Sequence, residues 1–66
     1  MKAGDVVICP SIVDDFSLSY LTPKKEYEVI RVHDNNAFVI IDDTDEEIVC
    51  NENDCAHLVD GNWILK

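Results

Sequence analysis

No apolar run in this chain approaches the roughly 18 residues that a membrane span requires, and its opening stretch, MKAGDVVICPS, lacks the longer apolar segment of a secretory signal. A cytoplasmic protein away from the membrane is the expectation. Positive charge is scarce as well: 5 Lys and Arg face 14 Asp and Glu, a net charge of -9 on 66 residues. Such a field repels nucleic acid and anionic lipid and draws the molecule toward basic surfaces. Direct nucleic-acid binding is therefore not expected, although the same charge also serves plain solubility. Glycine and proline occur twice each, and 47% of the residues are hydrophobic, which favours a folded globule over a linker. The chain contains no G-x-S-x-G, no phosphate loop and no dinucleotide fingerprint, so an enzyme is not expected.

Cysteine is present three times, at Cys9, Cys50 and Cys55. An odd number without a paired framework suits a reducing compartment better than a disulfide-stapled secreted domain. The length allows one domain over residues 1–66, and a chain this short buries only about 60% of the surface that its unfolded form exposes.

What the chain does have is short runs of β-branched and aromatic residues. Val6 to Cys9 reads as a first strand that Pro10 stops, because proline has no N–H for a ladder. Residues 11–22 mix Asp14 and Asp15 with Phe16, Leu18, Tyr20 and Leu21 without a period, and predict a long connection packed by its own side chains. Thr22, Pro23, Lys24 and Lys25 form a turn. Glu26 to His33 and Ala37 to Asp42, separated by Asp34, Asn35 and Asn36, spell a β-hairpin with Tyr27, Val29, Phe38 and Ile40 as its inner wall. The acidic turn Asp43 to Glu46 leads into a strand at Glu47 to Cys50, completing a meander. Asn51 to Asp54 suits a single helical or 3₁₀ turn, and Ala56–Val59 and Trp63–Leu65 read as a closing hairpin. Five or six short antiparallel strands without a long helix bury a core by closing on themselves. The expected fold is all-β, a small SH3-like barrel.

The segment LTPKKEYEV at Leu21 to Val29, the acidic turn Asp42 to Glu47 and the closing Cys55, Ala56, His57 and Leu58 resemble the small SH3-like barrel proteins encoded by tailed phages and prophages, most of which have no assigned activity. The usual form of that motif carries glycine before the second lysine, where this chain has Lys24. The resemblance implies a binding module in the cytoplasm of a host cell, since some small acidic phage proteins act by binding host enzymes or by imitating the charge of DNA.

The residues that would carry such binding are Tyr20 in the irregular connection, Asp42, Asp43, Asp45, Glu46 and Glu47 in the acidic turn, and Glu52, Asp54 and Asp60 as an extension. The same carboxylates also suit a solvated hairpin turn. A calcium loop is disfavoured, because Ile48 stands where glycine is needed and Asp54 where glutamate is needed. Cys9, Cys50, Cys55 and His57 offer a three-thiolate, one-imidazole zinc set, but no C-x-x-C knuckle is present and buried cysteine commonly acts as a small hydrophobe. A thiol paired with His33 or His57 lacks the concave surface that catalysis needs. Trp63 suits either the core or a groove, and Lys24, Lys25 and Arg31 are positioned to pair with nearby acids. The expected partner is a protein with a basic surface; the alternatives are a zinc-bound structural domain and a component that self-associates through a strand edge.

Overall fold

The computed structural model describes residues 1–12, 14–33, 37–59 and 61–66, so the turn expected at Asp34, Asn35 and Asn36, and the Asp60 carboxylate, lie outside the described residues. In chain order the elements are β1 (Val6–Ile8), α1 (Asp15–Leu18), β2 (Glu26–Glu28), β3 (Arg31–Val32), β4 (Ala37–Ile41), β5 (Glu47–Asn51), a 3₁₀ turn (Ala56–Leu58) and β6 (Ile64–Leu65). They form two three-stranded antiparallel sheets, β2-β1-β6 and β3-β4-β5, rather than one closed ladder. The all-β expectation holds at that level. Among the described residues no helix is long and apolar enough to cross a membrane.

The run from Glu26 to His33 does not stay one strand, because it passes from the first sheet to the second at Val29–Ile30. Val29 exchanges backbone hydrogen bonds with the β1 side, to Asp5 O and from Gly4 N at 2.8 Å each, whereas Ile30 N donates to Val39 O at 2.9 Å. Gly4 enters β1 at φ +96°, a conformation that glycine adopts without a Cβ penalty. β4 and β5 pair along five residues, from Ala37 opposite Asn51 to Ile41 opposite Glu47.

Alternation along these strands delivers the core. Tyr27, Val29, Phe38 and Ile40 are all buried, as the period-two pattern predicts, and join Val7, Leu21, Leu58, Trp63 and the three cysteines. Trp63 sits edge-on to Tyr27 at 5.7 Å and to Phe38 at 5.9 Å, which places it in the core. Val39 is also buried although it belongs to the opposite face of β4. It lies in register between Arg31 and Val49, and the Arg31–Glu47 ion pair runs along that outer face.

Two parts of the sequence reading need correction. The 3₁₀ turn forms at Ala56–Leu58, not at Asn51 to Asp54, so residues 56–59 are not the first strand of a closing hairpin, and the last strand, Ile64–Leu65, pairs with β1. Val59 takes the left-handed conformation, φ 54°, which stops an extended run there. Gly61 then passes so close to Leu58 that an added Cβ would meet its carbonyl oxygen at 3.0 Å. The chain returns through a bridge between Cys55 and Gly61, which frees β6 to pair with β1.

The third departure is α1. Asp14 caps it by accepting from Phe16 N at 3.2 Å, and Asp15 places a negative charge at its first turn. A single turn is too short to display a 3.6-residue period, so the sequence shows only its cap.

Candidate functional site

The acidic turn between β4 and β5 folds around Asp42. One carboxylate oxygen, Oδ1, accepts from Thr44 N at 2.8 Å, Thr44 Oγ1 at 2.7 Å and Glu46 N at 3.1 Å. Burial alone would raise its pKa, but these donors outweigh it and hold the carboxyl below its usual value. Asp45 takes φ 65° at the tip, a conformation that aspartate tolerates better than most residues.

Asp43, one residue on, faces a different neighbour. Its backbone N–H donates to Tyr20 O at 2.9 Å, and its carboxylate accepts from Thr22 Oγ1 at 2.6 Å, Lys25 Nζ at 2.6 Å and Tyr27 Oη at 3.0 Å. This latch joins the acidic turn to the Thr22–Lys25 turn. The latter closes by Lys25 N donating to Thr22 O at 3.2 Å, with Pro23 second and Lys24 third at φ 68°. That is the geometry of a type II turn, whose third position glycine prefers, so Lys24 adopts a conformation that suits glycine. Burial acts to raise the Asp43 pKa, but the bonds from Lys25, Thr22 and Tyr27 bring it below the usual range.

On the other side of the acidic turn lies an open groove of about 470 Å³, lined by Phe16, Ser19, Tyr20, Asp42, Thr44, Glu46, Ile48 and His57. Its volume is in the range of small-ligand sites, roughly 300–1,000 Å³. α1 brings Phe16 to it, and the turn that follows the helix brings Tyr20. Their rings meet edge-on at 5.9 Å, and Tyr20 meets His57 edge-on at 5.6 Å, making a continuous aromatic row. Phe16 is 73% exposed. His57 Nε2 lies 3.1 Å from Val49 O, and because a carbonyl only accepts, that nitrogen carries the proton. In the neutral ring Nδ1 is then an acceptor for the Tyr20 hydroxyl, 2.7 Å away.

The structure thus brings together Tyr20, Asp42 and Glu46 from the sequence-derived set, and adds Phe16, Ser19, Thr44, Ile48 and His57. The four-residue spacing of Phe16 and Tyr20 behind a capping Asp14 was the available sign of this row. Asp43 is turned to the latch, and Glu47 pairs with Arg31 on the outer face of the sheet. Lys25 and Arg31 both pair with acids, as their positions suggested. Glu52 and Asp54 follow β5, with the whole strand, Glu47–Asn51, between them and Glu46, so they belong to the opposite end of the sheet. There Glu52 O accepts from Trp63 N at 2.9 Å, and Asp54 N donates to Asn62 Oδ1 at 3.0 Å.

Cys9, Cys50 and Cys55 are all free thiols buried in the core. Burial, with Asp43 and Cys55 nearby, pushes the Cys9 thiol up to about 11. The two thiols Cys50 and Cys55 influence each other, Cys50 being raised by its neighbour and by burial, and Cys55 being lowered. Among the described residues the buried Trp63 indole N–H has no hydrogen-bond partner, and its proximity to Cys55 adds to the lowering of that thiol. Among the described residues no group of three or more His, Cys, Asp or Glu is arranged to hold a metal ion, and both His57 nitrogens are hydrogen-bonded. No protein-family model, no curated protein and no solved structure matches this chain.

Proposed function

We propose that this chain is a non-enzymatic protein-binding module, of the phage or prophage kind that its motif resembles, which engages a partner through the acidic turn and the groove beside it. The observation that carries this reading is the joining of an aromatic row, the exposed Phe16 and the half-buried Tyr20, to the Glu46 side of the turn on a chain of net charge -9. Apolar rings supply contact area, and the negative field selects basic surfaces and rejects acidic ones.

An SH3-like arrangement belongs to the same proposal. It is supported by the strand that passes from one sheet to the other at Val29–Ile30, and by the Trp63 N to Glu52 O bond that links the approach to β6 with the end of β5. The left-handed Lys24 in the motif turn fits it as well.

Immobilised protein incubated with host extract at low salt should retain a partner whose interacting surface is basic, and the affinity should fall steeply as salt rises. A partner held equally well at high salt would overturn the electrostatic reading.

A further inference from the structure

The side-chain protons of the groove are all committed inward. Ser19 Oγ donates to Phe16 O at 2.6 Å, and Thr44 Oγ1 donates to Asp42 Oδ1 at 2.7 Å. Tyr20 Oη gives its proton to His57 Nδ1, and His57 Nε2–H faces Val49 O. What the remaining lining side chains present to a ligand is lone pairs, ring faces and carboxylate. Glu46 is exposed and, among the described residues, forms no ion pair, whereas the neighbouring Asp43 and Glu47 are held by Lys25 and Arg31. A ligand for this groove must therefore bring hydrogen-bond donors and positive charge. Phosphates and carboxylates bring neither.

Resting on the protein-binding reading above, we infer that the groove receives an arginine side chain from a basic, extended segment of the partner. Guanidinium is a planar cation with five N–H donors and no acceptor. It stacks on an aromatic face and meets a carboxylate with two parallel bonds, which a lysine ammonium cannot do. Phe16 supplies the open ring, Glu46 the carboxylate and Ile48 an apolar floor for the aliphatic stem. Tyr20 and His57, fixed by their mutual bond, hold the aromatic row in place.

The test uses a short fluorescent peptide of alternating arginine and serine and its lysine counterpart, titrated against the whole protein at physiological salt and read by anisotropy. The arginine peptide should bind at least about threefold tighter than the lysine peptide. Phe16→Ala and Glu46→Gln should each weaken it by about three- to tenfold and erase most of that preference. Glu28→Gln removes the same charge from an exposed position on β2, outside the groove, and should stay within about twofold. Equal binding of the two peptides, or wild-type affinity in either groove variant, would overturn the arginine site while leaving a diffuse acidic surface as the binding agent. Failure of the wild-type protein to bind either peptide would overturn the broader reading with it. The Trp63 fluorescence of each variant, reporting from the core, verifies that the fold is kept.

Discussion

Asp43 and Glu46 stand three residues apart in one turn and do opposite things. Asp43 points to the Thr22–Lys25 side, where its carboxylate gathers two hydroxyls and an ammonium and ties two loops together. Glu46 borders the groove on the other side, and Asp42 holds only its backbone, accepting from its N–H and donating to its carbonyl. One side of the turn serves the fold and the other is free to meet a partner. Net charge therefore says little about which carboxylates are available, because the fold engages some of them internally.

The largest effect should come from breaking the latch. Asp43→Ala removes the acceptor of the buried Tyr27 hydroxyl and of Thr22 Oγ1, and should cost about 2 kcal/mol in urea denaturation at neutral pH. The exposed, solvent-screened Lys25 pair adds no figure of its own. The cost should also depend on pH. Asp42 and Asp43 both titrate below the ordinary 3.8 in the folded state, so their contribution is fully present above that value and is lost as pH falls through the lowered folded values. The gap between wild type and Asp43→Ala should narrow in that acid window; a gap that stayed constant down to the acid transition would show that the latch does not depend on ionised Asp43.

A smaller effect with the opposite sign is expected at the turn that the latch holds. Lys24 sits at φ 68°, where a Cβ is disfavoured, so Lys24→Gly should stabilise the protein by about 1 kcal/mol, less the entropy that glycine adds to the unfolded chain. Loss of stability on that change would mean that the turn needs the lysine side chain. The smallest effects belong to the groove. Phe16→Ala and Glu46→Gln should each change thermal stability by no more than about 0.5 kcal/mol, because both side chains are exposed and neither side chain holds a loop. A large destabilisation at either position would erase the contrast between a structural and a free side of the turn.

Much of the architecture was legible without coordinates. Alternation at Tyr27, Val29, Phe38 and Ile40 named the core wall, and Pro23 marked the Thr22–Lys25 turn, although its type, with a positive φ at Lys24, comes from the structure. These features are local, set by side-chain period and by backbone sterics at single residues. The region after Cys50 was not legible in the same way. Ala56–Val59 has strand-like residues, yet the chain turns there, at the left-handed Val59 and the close pass of Gly61 over Leu58, so that β6 can pair with β1 at the other end of the chain, which is a long-range condition.

The candidate site divides along the same line. By itself the sequence determined an acidic, all-β chain with its carboxylates concentrated around one turn, because charge and period are properties of residues in order. Only the tertiary structure decided which of those carboxylates remain available. The Asp43–Tyr27 and Arg31–Glu47 contacts each span 16 positions, and the Tyr20–His57 contact spans 37. No local pattern encodes such pairings; they arise when two sheets and one helical turn pack around the same core and leave Phe16 and Glu46 on its rim.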